Sequence, residues 1–170
     1  MNLENVYNSL LNYVDANDYR GACHSTSAVM FMLFSELGLK PKLKIGEVYS
    51  YHVSKAFDHS WVEVDEAVYD VAIGYPQLSE LGGEYVCGPI FNDVDINTGN
   101  AAEISFRYRT DDGLGEIASV VHQWTLSQYN SNIEQDIWDM AAFVGANSGM
   151  FLSSQNLKFK YGNVMRELVK

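Results

Sequence analysis

The strongest constraint on the fold of this chain is a helix that has no polar face. Residues 23–37 have the length and composition of one helix, and Gly38 follows as a left-handed C-cap. Every side chain from Ala28 to Phe34 is apolar. Other elements must cover such a helix on all sides, so it is predicted to lie buried within the fold.

The first turn of this helix is polar and carries a thiol. It consists of Cys23, His24, Ser25, Thr26 and Ser27. Gly21 lets the backbone turn tightly just before this segment. The free N–H groups and the positive end of the helix dipole favour a thiolate at Cys23, and the same N–H groups can bind an oxyanion. The position of Cys23 is therefore typical of a nucleophile.

A predicted hairpin further along the chain supplies the partners that a nucleophilic thiol needs. Alternation of apolar and polar side chains indicates strands at 59–64 and 67–72, with a two-residue turn between them. That turn places Asp70 opposite Trp61 and diagonal to His59 on one face of the sheet. A thiol, an imidazole and a carboxylate in this order are the nucleophile, base and orienter of a catalytic triad.

The composition is that of an ordinary globular protein, with 47% of the 170 residues apolar and 19% charged. This length, without an internal repeat or linker, predicts a single domain over 1–170. The net charge of -11 argues against a nucleic-acid partner, because contacts to phosphates need clustered Lys and Arg.

The sequence also predicts a cytoplasmic protein with free thiols. Two cysteines are too few for a disulfide framework. The N-terminus has neither the basic nor the apolar segment of a signal peptide. The apolar run Ala28 to Phe34 is far shorter than the roughly 20 residues that span a bilayer, so no membrane association is expected.

The rest of the chain is predicted to support this centre. The core is expected within about 1–75, and 76–170 is expected to add extra helices and a wall that selects the substrate. Periodicity and turn residues predict helices at 2–14, 115–129 and 133–144, and further strands at 42–50, 104–108 and 157–161.

Other polar residues receive less specific interpretations. His24, His52 and His122 are expected to be ordinary rim or core histidines, and Cys87 a structural thiol. Residues 93–99 echo a calcium loop, but the glycine is one place late and the closing glutamate is missing, so a solvated loop is favoured. No spacing of the zinc type is present, and neither a metal nor a cofactor is expected.

Residues 20–72 resemble the transglutaminase-like superfamily of papain-type folds. The resemblance rests on Gly21-Ala22-Cys23 opening a helix, on the segment His59 to Val64 (HSWVEV) and on Asp70 in the next strand. The segments 42–48 and 58–64 are also similar to the leader peptidases of lasso-peptide maturation, a branch of that superfamily.

This resemblance implies an α+β, papain-like fold, in which a central helix carrying the cysteine packs on an antiparallel sheet. It implies Cys23 as nucleophile, His59 as general base and Asp70 as orienter. The expected activity is thiol-dependent acyl transfer or amide hydrolysis on a peptide, amide or acyl substrate, most simply by an enzyme of the cysteine peptidase or amidase type.

Two alternatives remain open from the sequence. Arg20 to Cys23 and Asp70 to Tyr75 also resemble arylamine N-acetyltransferases, which share the triad but transfer an acetyl group to amines. The chain could instead keep the fold as a binding module without catalysis, since no side-chain oxyanion donor of the family can be matched. The candidate oxyanion donors are the backbone N–H of Cys23 and the side chains of Asn17 and Tyr19.

Overall fold

The computed structural model describes residues 2–76 and 85–169, which form an α+β fold. The helices are α1 (Leu3–Ala16), α2 (Cys23–Glu36), α3 (Glu116–Val121), α4 (Leu126–Asn130), α5 (Ile137–Asn147) and α6 (Ser154–Tyr161), with a 3-10 turn at Ala72–Gly74. None of these helices is long and apolar enough to cross a membrane, among the residues just given.

The strands of the described residues form one sheet. They are β1 (Lys42–Ser50), β2 (Lys55–Val64), β3 (Ala67–Asp70), β4 (Ile90–Phe91), β5 (Val94–Asp95), β6 (Asn100–Ala101), β7 (Ile104–Tyr108) and β8 (Glu167–Leu168). The order across the sheet is β6-β5-β4-β3-β2-β1-β7, with antiparallel pairing throughout. β8 pairs with β1 in parallel. The long strands β1 and β2, paired over their whole length, form the centre of the sheet.

The apolar helix α2 is buried, as its composition predicts. It packs against β2 on one side and against α1 and α5 on the other. Its side chains share the larger core with one face of the sheet, which presents Leu43, Ile45 and Val62. The opposite face presents Val48 and Trp61 to a second, smaller core. Alternation along β1 and β2 thus divides the apolar residues between two layers.

The hairpin of β2 and β3 has the predicted two-residue turn. Val62 pairs with Tyr69, and Val64 pairs with Ala67, so Asp65 and Glu66 alone form the turn. Both turn residues have positive φ angles of 49° and 71°, the backbone of a type I′ turn. This register confirms that Asp70 lies opposite Trp61 and diagonal to His59.

Three predictions beyond β7 were wrong, and each involves helix capping. The single helix predicted over 115–129 is two helices, α3 and α4. Thr125 begins the second one, because its side chain and that of Gln128 form a reciprocal capping box. The helix predicted over 133–144 begins later, at Ile137, where Asp136 caps the N–H groups of Trp138 and Asp139.

The third error concerns 157–161, which is helical instead of extended. Ser153 caps α6 by accepting a hydrogen bond from the Asn156 N–H. The extended segment comes after this helix, as β8. Lys44 in β1 forms an ion pair with Glu167 of β8 at 2.5 Å. The C-terminal segment is thereby attached to the centre of the sheet.

Candidate active site

A pocket of about 540 Å³ opens where the start of α2 meets the sheet. Cys23 and His24 line it from the helix, and His59 lines it from β2. Ile73 and Tyr75 contribute from the segment after β3, and the first residues of α3 form the opposite wall. The residues predicted to act together therefore share one cavity, apart from Asp70, which lies behind His59.

The backbone before α2 fixes the position of Cys23. Gly21 has φ of 64°, and its N–H donates to the carbonyl of Tyr75 at 2.9 Å. This bond joins the approach to the helix to the segment that follows β3. Ala22 is the N-cap and has no side chain that could bond to the first N–H groups of the helix. The N–H of Cys23, as the first helical residue, thus has no intrahelical acceptor and remains available to a ligand.

His59 and Asp70 form a buried hydrogen-bonded pair. Their exposed fractions are 4% and 3%, and His59 Nε2 hydrogen-bonds to Asp70 Oδ2. The other carboxylate oxygen accepts hydrogen bonds from the N–H groups of Ala72 at 2.9 Å and Ile73 at 3.2 Å. The 3-10 turn therefore holds the carboxylate in place. Since Nε2 is engaged by Asp70, Nδ1 of His59 is the nitrogen left for the thiol.

The electrostatics of this group favour a thiolate and an imidazolium. Burial raises the pKa of the Cys23 thiol, but the electrostatic effects of the neighbouring His24 and His59 outweigh it and hold that pKa well below its ordinary value. Burial lowers the pKa of His59, while the charges of Asp70 and Cys23 more than reverse this and raise it to about 10. Cys23 and His59 are thus poised as an ion pair.

The two side chains predicted as oxyanion donors lie outside this pocket. The amide of Asn17 donates to the carbonyl of Tyr13 at 2.7 Å, at the end of α1. Tyr19 interacts through its side chain with Ser25, in the first turn of α2. Of the predicted donors, only the N–H of Cys23 belongs to a residue that lines the pocket.

His24 lines the pocket, although its sequence context predicts only an ordinary rim histidine. It lies beside the thiol, and its Nδ1 is 2.7 Å from Ser60 Oγ on β2. The available signal was its place directly after Cys23 in a polar helix start. Its position in the sequence does not show where the His24 side chain points, because that direction is set by the contact with Ser60, 36 positions away in the chain.

Two carboxylates on paired strands hold the wall of the pocket. Asp58 and Glu47 lie opposite each other in β2 and β1. Asp58 Oδ2 accepts a hydrogen bond from the N–H of Gly115 at 2.8 Å, at the start of α3. Glu47 Oε2 accepts one from the N–H of Thr110 at 2.9 Å. Burial, and to a lesser degree the charge of Glu47, raises the pKa of Asp58.

The remaining candidates lie in structural roles. Cys87 is buried, and burial together with the nearby Asp95 raises its pKa to about 12. Within the segment that echoes a calcium loop, Asp95 is 3% exposed and accepts hydrogen bonds from Tyr85 and Gly88. These hydrogen bonds within the protein occupy the Asp95 carboxylate. His122 ends α3 as its C-cap.

Among residues 2–76 and 85–169, no three ligating side chains cluster in a way that could hold a metal ion.

Comparisons of this chain with models of protein families, with curated proteins and with solved structures find no match.

Proposed function

We propose that this protein is a thiol-dependent acyltransferase or amide hydrolase of the cysteine peptidase type, built on a papain-like, transglutaminase-like arrangement. The observation that carries the proposal is the placement of Cys23 and His59 in one open pocket, with Asp70 buried behind the imidazole and hydrogen-bonded to it. A structural thiol in a core needs no such surroundings, and Cys87 illustrates the difference with its raised pKa.

In the proposed reaction, the Cys23 thiolate attacks the carbonyl carbon of an amide, ester or thioester. The His59 imidazolium then gives its proton to the leaving group as the tetrahedral intermediate collapses to an acyl-enzyme. Asp70 keeps the imidazole oriented and stabilises its charge throughout. Water or an amine, activated by the now neutral His59, releases the acyl group.

The pocket is suited to an extended peptide or an acyl chain. Ile73, Tyr75 and Pro76 line it on the side of the sheet, and Ile117 on α3 lines the opposite wall with 73% of its surface exposed. Ligand pockets are lined mostly by apolar and aromatic side chains with a few polar groups, and these residues supply the apolar part beside the thiol.

The test is acylation by p-nitrophenyl acetate, a small activated ester. We expect a stoichiometric burst of nitrophenolate, with the acetyl group located on Cys23 by mass spectrometry of the digested protein. Cys23→Ala should abolish the burst, His59→Ala should slow it by on the order of 10²-fold or more, and Cys87→Ala should leave it unchanged.

Alkylation by iodoacetamide separates an enzyme from a binding module of the same fold. A thiolate held by His59 should react rapidly near pH 6, at Cys23 and not at Cys87, and the reaction should slow sharply in His59→Ala. A rate at Cys23 that rises only above about pH 8 and ignores His59 would identify an ordinary thiol and refute the proposal.

A further inference from the structure

Two imidazoles line the pocket together with Cys23, and the proposed reaction uses only one of them. His59 is engaged by Asp70 and supplies the base. His24 belongs to the same pocket and also lowers the pKa of the thiol. The intermediate formed at Cys23 carries a negative oxygen, for which the predicted side-chain donors Asn17 and Tyr19 are not in the pocket. His24 is therefore a spare polar group where a donor is required.

The contact with Ser60 indicates which nitrogen of His24 carries the proton. Ser60 is 1% exposed, and within the described part of the chain its hydroxyl hydrogen-bonds to His24 Nδ1 and to no other group. We assign Ser60 as the donor to Nδ1, since its hydrogen has no other acceptor among the described residues. The proton of the imidazole then resides on Nε2, which is the nitrogen left for the pocket and for Cys23.

The backbone of His24 is also held firmly. Its carbonyl accepts a hydrogen bond from Arg166 Nη2 at 2.7 Å. Arg166 is 4% exposed, and its guanidinium stacks 4.5 Å from the centre of the Tyr129 ring. Tyr129 in turn hydrogen-bonds through its hydroxyl to Ser25 at 2.8 Å. The first turn of α2 is thus fixed from behind, which is the preorganisation that an oxyanion site requires.

We propose that His24 Nε2–H, together with the N–H of Cys23, forms the oxyanion hole of this site. The proposal rests on the proposed acyl-transfer function. As the bond between sulfur and the carbonyl carbon forms, the π pair of the carbonyl moves onto its oxygen, and the two N–H groups bind that charge. When the carbonyl re-forms, the leaving group departs with the proton of His59. His24 neither gains nor loses a proton in this cycle.

The test compares two reactions of the same thiol. Acylation by p-nitrophenyl acetate passes through an oxyanion, whereas alkylation by iodoacetamide does not. We expect His24→Leu to slow acylation by on the order of 10²-fold. The alkylation rate on its high-pH plateau, where the thiol is fully ionised, should stay unchanged. His24→Gln, which restores a neutral N–H donor at similar reach, should recover most of the acylation rate.

Each outcome bears on a different claim. Equal acylation by the wild type and His24→Leu, or equal losses in acylation and plateau alkylation, would overturn the role of His24. Absence of a burst in the wild type would instead refute the proposed function itself. If His24→Leu does not fold, Ser60→Ala takes its place, since it frees the tautomer and should slow acylation with plateau alkylation unchanged. Unchanged acylation in Ser60→Ala would then overturn the proposal.

Discussion

At the scale of the residue, the protonated state of His59 links the site to the stability of the whole fold. Its pKa in the folded protein is about 10, above the value of about 6.5 in an unfolded chain. The folded state therefore holds this proton more tightly. The stabilisation is fully present below about pH 6.5 and is lost as the pH rises through about 10.

The titration of Cys23 makes the folded state more stable as the pH rises, which is opposite to the effect of His59. Its folded pKa is depressed, so its contribution is present above the unfolded value of about 8.5 and is lost as the pH falls through the folded value. The two effects oppose each other between about pH 6.5 and 8.5. Above about pH 8.5 only the loss from His59 remains.

We therefore predict that, with Cys23 replaced by Ala in both proteins so that only the imidazole differs, the free energy of unfolding falls more steeply between about pH 6.5 and 10 in the protein with His59 than in His59→Gln, which cannot titrate. Urea unfolding at several pH values measures both proteins. Taking the difference between them removes the contributions of Cys87 and the buried tyrosines. Parallel curves over this window would show that His59 is not held as an imidazolium.

At the scale of the element, the turn between β2 and β3 carries removable strain. Asp65 and Glu66 both adopt positive φ angles, which residues with a Cβ tolerate poorly and which Asn-Gly adopts readily. We predict that Asp65→Asn combined with Glu66→Gly raises the free energy of unfolding by about 1 kcal/mol in chemical denaturation. Glu66→Ala keeps its Cβ and should give no such gain. A neutral or destabilising double variant would contradict this account of the turn.

The wall formed by α3 should depend on its attachment to β2. Asp58→Ala removes the acceptor for the Gly115 N–H, so we predict a higher KM for esters with long acyl chains. Asp58→Asn keeps an oxygen acceptor and should stay close to the wild type. Since the wall does not contact the thiol, plateau alkylation of Cys23 should be the same in all three proteins. Equal KM values in Asp58→Ala and the wild type would show that this bond does not shape the pocket.

The same scale explains what the sequence could predict. The register of β2 and β3 followed from alternation and a two-residue turn, because a slip by one residue would have moved Val62 and Val64 away from the larger core to the opposite face of the sheet. The pattern at 157–161 misled, since Leu157, Phe159 and Tyr161 alternate like a strand. Phe159 is in fact 90% exposed, and the serine cap at 153 decides for a helix.

Some residues of the candidate site could likewise be predicted from the sequence, and others could not. Cys23, His59 and Asp70 could be brought together from their elements, because helix starts and strand registers are readable from local pattern. The role of His24 could not be read, as it depends on the angle between α2 and β2 and on Ser60 facing the helix. The contact between Arg166 and His24 spans 142 positions, and no local sequence pattern predicts it.

At the scale of the whole molecule, the excess of negative charge acts against the compact state. The net charge is -11, and ion pairs such as that of Lys160 with Glu36 at 2.8 Å leave this excess unchanged, because it already counts every Lys and Arg. We predict that Tm at neutral pH rises when NaCl increases from about 10 to about 150 mM, because the screening length falls from about 30 to about 8 Å. The increase should vanish near pH 4.6, the isoelectric point. A rise of equal size there would point to an effect other than screening.

The anchoring of His24 by Arg166 has a consequence for the order in which the protein becomes active. A ribosome makes the cysteine, the histidine and the aspartate in the first half of the chain, and it adds Arg166 much later. Until that arginine arrives and docks under the first turn of α2, the oxyanion site lacks its support. Under the proposed function, a nascent chain would therefore carry its nucleophile in an unfinished setting until residue 166 had been added.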